Sequence, residues 1–254
     1  MQLDIVTVHL SDFDGLKRTF ASLESMLARR QFRWIVIDGG SVAATTEQAA
    51  LMRTVSQRAA CFLSEDDNGI YDAMNKGTSL ADADYVLYLN AGDELHKGFS
   101  LSELEAELGS DKPEMIWGTC YERFPAGALV RTKTRSPQLA WYGIPVNHQN
   151  VLFRRDVLGE KPYSENYKYC ADYDLICRLL KRGHVYRTAM PFVTYERGGV
   201  SARNFADTMA EEELLRSEHF GLSPRVSMAI TCLKKINAKI GSLPAIRRLM
   251  RRWI

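Results

Sequence analysis

Apolar and polar positions along the first hundred residues predict strands and helices in turn. Four apolar runs have the length and composition of strands: LDIVTVHL, FRWIVIDGGS, CFLS and YVLYLN. Residues 14–29, 44–58 and 70–80 lie between these runs and are predicted to be helices. Strand, helix and strand at this spacing predict right-handed parallel units, so the first half should form an open α/β sheet.

After about residue 113 the pattern loosens into shorter predicted strands: EMIWGTC, ALVRTKT, NVLFRR and HVYRTA. A helix is predicted over about 171–182. A second half of this kind usually carries the variable part of a substrate site. The chain shows no internal repeats and no low-complexity segments.

The stretch YVLYLNAGDEL, residues 85–95, runs from a buried-strand pattern through Ala-Gly into two acids. Ligands of open α/β sheets bind outside the carboxyl ends of the strands, so acids placed there face a ligand site. Acidic loops follow three of the first four predicted strands, and a further acid opens the late helix: Asp38, Asp66 and Asp67, Asp93, and Asp172. We expect these carboxylates to converge.

Converging carboxylates raise one another's pKa unless a cation is bound. Oxygen ligands suit Mg²⁺ or Mn²⁺, and Mg²⁺ is usually held by one or two carboxylates plus substrate phosphates. The pattern therefore predicts a divalent ion and a nucleotide diphosphate. The alternative is that each acid is a turn former or helix cap, which is common at strand ends.

Asp172, Leu175, Ile176 and Leu179 have the spacing of one helix face, so Asp172 should point toward the sheet. Its alternative role is an N-cap. Asp174 and Arg178 are four residues apart on another face, where a surface ion pair is the simplest interpretation.

The stretch NGIYDAMNKG begins a predicted helix, where free backbone N–H groups and Lys76 could bind phosphate. An ordinary capped helix is the alternative, and His148 in VNHQN is most simply structural. There is no Gly-x-Gly-x-x-Gly turn after the first strand and no P-loop motif, which argues against dinucleotide cofactors and P-loop chemistry. Zinc-protease and serine-hydrolase motifs are also absent.

Charge is distributed unevenly along the 254 residues. The net charge is +2, but no acid follows Glu218, whereas eight basic residues do, which leaves −6 for residues 1–224. These basic residues are Arg225, Lys234, Lys235, Lys239, Arg247, Arg248, Arg251 and Arg252. The five scattered cysteines fit reduced thiols, and no signal peptide or membrane-spanning run is present, so we expect a cytoplasmic protein.

The motifs VIDGGS, SEDDNGIYDAMNKG, YLNAGD, HQNVLFRR and ADYDLICRL, in this order, resemble the family-two inverting glycosyltransferases with the GT-A fold. The resemblance covers about residues 3–200 and is greatest to small bacterial exopolysaccharide enzymes of the colanic acid type. It implies a GT-A catalytic domain over 1–205, with a nucleotide-binding half over about 1–98 and an acceptor-binding half over about 99–205. A helical basic extension follows over 206–254.

The resemblance also implies residue roles. Asp38 would contact the nucleotide base beside Thr7 and Val8, and Asp67, or its neighbour Asp66, would hold the nucleotide together with Lys76. Asp93 would be the metal ligand for Mn²⁺ or Mg²⁺, because Asn90 replaces the first acid of the family's Asp-x-Asp motif. Asp172 would be the catalytic base. Asn90, His148 and Gln149 are expected to contact the donor sugar or the acceptor.

The resemblance implies transfer of a single sugar, because the Gln-x-x-Arg-Trp signature of processive enzymes is missing. The expected partners are a UDP- or GDP-linked donor and a saccharide acceptor on a polyprenyl diphosphate, with no nucleic acid. The basic tail from Ser223 predicts an amphipathic helix at the inner face of the cell membrane. Its alternatives are a helix packed on the acidic body or a nucleic-acid patch. The rival functions are a sugar-nucleotide pyrophosphorylase and a noncatalytic carbohydrate- or membrane-binding module.

Overall fold

The computed structural model describes residues 1–124, 127–132, 134–196 and 204–242, with side chains as far as residue 237. Its strands are β1 Leu3–His9, β2 Arg33–Asp38, β3 Cys61–Ser64, β4 Tyr85–Tyr88, β5 Glu94–Leu95, β6 Met115–Arg123, β7 Leu129–Thr132, β8 Val151–Arg154 and β9 Val185–Glu196. Its helices are α1 Phe13–Ala28, α2 Thr46–Arg58, α3 Ile70–Ser79, α4 Leu101–Leu108, α5 Arg155–Leu158, α6 Ala171–Leu180, α7 Phe205–Phe220 and α8 Pro224–Ser242. Two 3₁₀ turns cover Pro137–Tyr142 and His148–Asn150.

The described strands form one mixed sheet in the order β3-β2-β1-β4-β8-β6-β9-β5, with β7 paired to β6. The first four of these strands are parallel, whereas β8 is antiparallel to both β4 and β6. The predicted α/β class and the parallel first half are confirmed. The reversed β8 then joins this parallel half to the second half.

Both faces of the parallel half are covered. Every residue of β1 is buried, as expected for a strand with helices on both sides. One cluster of buried apolar side chains packs α3 and α6 on one face, and a second, built around Trp34, packs α1 and α4 on the other. Burial on both faces explains why these strands read as continuous apolar runs.

Helix α4 was not predicted from the sequence. Its signal is nonetheless present, because the Ser100 side chain accepts from the backbone N–H of Glu103 at the N-cap, and Leu104 and Leu108 are buried on one face. Strand β9 is also longer than predicted, because it continues past an irregular register with β6 to pair with β5.

The predicted ion pair between Asp174 and Arg178 is present, but its predicted location on the surface of α6 is wrong. Asp174 is only 6% exposed, and its second oxygen lies 2.8 Å from the Nε2 of His219 on α7, besides the 2.9 Å contact with Arg178. The sequence could not place α7 against α6. Asp174 therefore links α6 to the C-terminal helix α7.

A buried charge network joins α7 and α8. Arg216 is fully buried and donates to Glu212, Ser227 and Thr231, while Lys234 pairs with Glu212. The inner side of α8 thus packs against the rest of the protein, which is one of the alternatives given for the basic tail. In the described part of the chain, no helix is both long and apolar enough to span a bilayer.

Candidate active site

The carboxyl ends of the parallel strands meet at one edge of the sheet. In register, His9 at the end of β1 pairs with Asp38 of β2, and Asp38 pairs with Ser64 of β3. On the other side of β1, the backbone N–H of Ala91 after β4 donates to the carbonyl of Val8. The acids that follow β2, β3 and β4 are therefore gathered along this edge, as predicted.

Asp38 lies at the centre of a small polar network. The carboxylate is fully buried and accepts from the Ser64 hydroxyl at 2.6 Å and from the Ser41 backbone N–H at 3.1 Å. The His9 ring lies 3.8 Å from it. Burial lowers the pKa of His9 more than the nearby carboxylate of Asp38 raises it, so the ring is neutral at pH 7.

The acidic loop after β3 packs on the glycine turn after β2. A Cβ at Gly39 would displace the Asp67 carboxylate, and one at Gly40 would displace that of Asp66. Gly40 also has a φ of +83°, which favours glycine. The Nζ of Lys76 lies 2.9 Å from the Glu65 carboxylate and 2.8 Å from the Asp66 carbonyl. In this arrangement Lys76 holds the acidic loop, and its predicted contact with phosphate stays a prediction.

The Ala-Gly step after β4 forms a tight turn. The Asp93 backbone N–H donates to the Asn90 carbonyl at 3.0 Å, and Gly92 has a φ of +99°, as type II turns require at their third residue. Helix α1 holds the turn, because the Thr19 hydroxyl donates to the Asp93 carbonyl at 2.7 Å and accepts from the Gly92 N–H at 3.0 Å. The turn brings the Asp93 carboxylate next to Gln149.

The surroundings of Asp93 fit a single-carboxylate ion site. Gln149 donates to Oδ2 at 3.1 Å, and burial raises the pKa of the carboxyl to about 7, which a bound cation would reverse. The buried Oδ1 of Asn90, from the same turn, has no hydrogen-bond partner among the described residues, so it is available as a second hard oxygen. No group of three or more His, Cys, Asp or Glu that could hold a metal occurs among the described residues. An ion here would take its remaining ligands from substrate oxygens and water.

The Asp172 carboxylate is held from both sides. The Nδ1 of His148 lies 3.1 Å from Oδ2, and the Tyr71 hydroxyl lies 3.4 Å from Oδ1, which also accepts from the Tyr173 backbone N–H at 2.8 Å. The N-cap of α6 is Cys170, so the alternative role of Asp172 as the N-cap is wrong. Leu175, Ile176 and Leu179 are buried, which confirms the predicted inward face of α6.

The stretch GIYDAMNKG contains the N-cap and most of α3, and its side chains help to hold Asp172. The Asn75 side chain clamps the backbone of Tyr163 with two hydrogen bonds: it donates to the carbonyl and accepts from the N–H, both at 2.9 Å. The Tyr163 ring stacks on Tyr71 at 5.4 Å, and Tyr71 reaches Asp172. Gly77 packs so closely on Val6 that a Cβ would overlap that side chain. Much of this motif therefore positions the candidate base.

Two of the predicted nucleotide contacts have buried side chains. The Thr7 hydroxyl accepts from the Trp34 indole N–H at 2.9 Å in the core, and Val8 is 6% exposed. Their roles in nucleotide binding stay predictions. Two surface depressions of about 550 and 540 Å³ lie at the opposite, amino ends of the strands and contain none of the predicted site residues.

Sequence reasoning missed the residues that reach the site from distant parts of the chain. Thr19 holds the turn at Asp93, and His9 borders Asp38. The Glu211 carboxylate of α7 accepts from three successive backbone N–H groups, those of Lys168, Tyr169 and Cys170, just before α6. No local pattern marks these residues, because each acts across 28 or more positions of sequence.

The family model described as "Glycosyl transferase family 2" matches residues 5–173, which contain every residue of the site described above except Glu211. The chain belongs to glycosyl transferase family 2. It is therefore a glycosyltransferase, and the predicted family resemblance and enzyme class are confirmed. The nearer resemblance to colanic acid enzymes stays a prediction.

Curated relatives in this family include a PGL/p-HBAD biosynthesis glycosyltransferase of Mycobacterium bovis, 26% identical over 200 residues, or 73% of this chain and 72% of the relative. An uncharacterised glycosyltransferase of Mycobacterium tuberculosis is 31% identical over 130 residues, or 51% of this chain and 48% of the relative.

Solved glycosyltransferase structures share the fold. Residues 1–349 of S. aureus TarS in complex with UDP-GlcNAc align with a TM-score of 0.64 and 11% identity, over 91% of this chain and 70% of that one. The mannosyltransferase PcManGT of Pyrobaculum calidifontis, in complex with GDP-Man and Mn²⁺, aligns with a TM-score of 0.59 and 12% identity, over 98% and 79%. The predicted GT-A fold is confirmed.

Proposed function

We propose that this glycosyltransferase moves one sugar from a UDP- or GDP-linked donor to an acceptor hydroxyl, with inversion at the anomeric carbon. One observation carries the proposal: adjacent residues His148 and Gln149 contact Asp172 and Asp93 respectively, so the candidate base and the candidate metal ligand border one site. A base and a leaving-group ion are the two elements that such a displacement needs close together.

In the proposed reaction a bond forms between the acceptor oxygen and the anomeric carbon while the bond to the diphosphate breaks. Asp172 takes the proton of the attacking hydroxyl, and the nucleoside diphosphate leaves. Asp93, with the carbonyl oxygen of the Asn90 side chain nearby, would hold Mn²⁺ or Mg²⁺, which supplies charge neutralisation for the departing diphosphate. Asp38, Asp66 and Asp67 border the position proposed for the nucleoside.

Two solved structures with the same fold support this donor class. The TarS structure carries UDP-GlcNAc, and the PcManGT structure carries GDP-Man and Mn²⁺. The rival pyrophosphorylase function would require a Gly-rich loop and a lysine after β1, and the segment VTVHLSDFDG has neither.

A thermal-shift screen of UDP- and GDP-sugars, with and without Mn²⁺, tests the proposal. We expect one donor to raise the melting temperature only when Mn²⁺ is present, and Asp93→Ala to abolish that increase, because the diphosphate then lacks its ion. If no UDP- or GDP-sugar stabilises the chain, the proposed donor class is wrong.

We also propose that α8 lies on the anionic surface of the inner face of the cell membrane. There it would bring the site to a lipid-linked saccharide, such as one on a polyprenyl diphosphate. The enzyme would then act in exopolysaccharide synthesis. Val226, Met228, Leu233 and Ile236 on its outer side are each 48–55% exposed, while Ser227 and Thr231 face inward. Arg225 and Lys235 are exposed on the same helix, and each basic residue near an anionic surface contributes about 1 kcal/mol. The basic residues Arg247, Arg248, Arg251 and Arg252 lie outside the described residues.

A further inference from the structure

The 3₁₀ turn His148–Asn150 lies between the two carboxylates of the proposed reaction. It packs against β4, β6, β9 and α6, and both His148 and Asn150 are buried, at 9% and 1% exposure. Adjacent Cα atoms are about 3.8 Å apart, and a 3₁₀ helix turns about 120° per residue. Consecutive side chains on such a turn point in different directions from one fixed base.

We propose that His148 and Gln149 are positioning residues that set the base carboxylate and the metal carboxylate at a fixed separation, rather than groups that bind the sugar. This inference rests on the proposed function. Nδ1 of His148 is 3.1 Å from Asp172, and Nε2 of Gln149 is 3.1 Å from Asp93, so each polar group is already directed at a carboxylate.

Tyr71 completes the arrangement around the base. Its hydroxyl contacts the Asp172 oxygen that His148 does not, and its ring is stacked on Tyr163, whose backbone Asn75 clamps. The Asp172 carboxylate is therefore held between α3 and the 3₁₀ turn. Motion of the turn would displace both carboxylates together.

The competing role for His148 is direct contact with sugar through Nε2, which is buried and has no hydrogen-bond partner in the part of the chain that the structure describes. Side-chain length separates the two roles. The amide nitrogen of asparagine is two bonds from Cβ, as Nδ1 of histidine is, whereas that of glutamine is one bond farther and reaches closer to the Nε2 position. His148→Asn thus keeps a donor to Asp172, and His148→Gln keeps a group near Nε2.

The test measures steady-state hydrolysis of the donor sugar that stabilises the wild-type protein, across a range of Mn²⁺ concentrations. We expect His148→Ala to lower kcat by about 10- to 100-fold with little change in donor KM, since a misplaced base slows only the chemical step. His148→Asn should recover kcat to within about 3-fold of the wild type, and His148→Gln should not. His184→Ala is the matched control, because His184 makes a similar contact with Asp111 on the surface, and it should match the wild type.

Gln149→Ala should instead weaken binding of the metal ion and nucleotide. We expect calorimetry with Mn²⁺ and UDP, or GDP if the stabilising donor is GDP-linked, to show about 5- to 20-fold weaker binding, whereas His148→Ala should bind as the wild type does. Better rescue by His148→Gln than by His148→Asn, or equal loss of Mn²⁺ binding in both alanine variants, would overturn the inference. Asp172→Asn serves in the same assay as the check on the proposed function itself: if it loses hydrolysis while His148→Ala does not, the function stands and the positioning role is wrong.

Discussion

At the scale of single residues, the acids and the groups that hold them have different sequence signals. Asp38, Asp66, Asp67 and Asp93 could be placed at one edge because each follows a parallel strand. Thr19 and Glu211 could not be found, since their partners are 73 or 74 and 41 to 43 residues away. A strand end marks where a functional side chain lies, but nothing local marks what supports it.

Asn75 illustrates such a supporting residue and gives the first prediction. Asn75→Ala removes both hydrogen bonds to the Tyr163 backbone and leaves a buried N–H and a buried carbonyl without partners. Unsatisfied buried groups cost about 1–3 kcal/mol each, so we expect the free energy of unfolding to fall by about 2–4 kcal/mol in urea titrations.

The matched control for this variant is Asn68→Ala, in the loop that leads into α3 and two residues before Ile70. Only the backbone N–H of Asn68 makes a recorded hydrogen bond in the described structure, so its side chain should change stability by less than about 0.5 kcal/mol. Equal destabilisation by both variants would contradict the clamp.

At the scale of elements, α6 carries the candidate base and is fixed by α7 at two places. Glu211 accepts from the backbone just before α6, and His219 contacts Asp174 within it. The boundary between a catalytic domain and a helical extension at 205/206 stays a prediction, and α7, which begins at Phe205, packs directly on α6. The extension therefore contributes to the geometry of the site.

Asp174 gives the second prediction, a dependence of stability on pH. Burial tends to raise its pKa, but the hydrogen bond from His219 and the charge of Arg178 outweigh burial and lower it below the ordinary value of 3.8. A carboxyl with a lowered pKa in the folded state contributes stability that is fully present above the unfolded value and is lost as the pH falls through the folded value.

We therefore expect the difference in unfolding free energy between the wild type and Asp174→Asn to shrink as the pH falls from about 4 through the lowered pKa of Asp174. Urea titrations at several pH values measure this difference, and Asp156→Asn, whose carboxylate is exposed, is the control. A difference that does not shrink below about pH 4 would show that the pKa of Asp174 is not lowered in the folded protein.

At the scale of the whole molecule, the third prediction concerns the outer side of α8. Leu233→Glu places a charge on the apolar side of the helix, and we expect it to lower binding to vesicles containing anionic phosphatidylglycerol by about 5-fold or more. Leu129→Glu, an equally exposed position on β7, should bind as the wild type does. Wild-type protein that fails to bind anionic vesicles, or that binds neutral ones equally well, would contradict the electrostatic part of the proposal.

The sequence predicted the parallel half of the molecule better than the second half for a physical reason. The strands of the parallel half are largely apolar and lie beside helices with their own periodicity, so local pattern and final structure agree. In the second half, β8 inserts between β4 and β6, and β9 pairs with strands more than 60 residues away. Strand order there depends on long-range packing that no short window of sequence contains.

The roles proposed for Asp93 and Asp172 in one displacement are ion binding and proton removal, and measuring binding and turnover together on two variants separates them. We expect Asp172→Asn to bind the donor with Mn²⁺ within about 3-fold of the wild type and to lose about 10²- to 10⁴-fold in turnover, since only the base is removed. Asp93→Asn should instead lose Mn²⁺-dependent binding of the donor. Turnover by Asp172→Asn at the wild-type rate, or undiminished Mn²⁺-dependent binding by Asp93→Asn, would contradict the account.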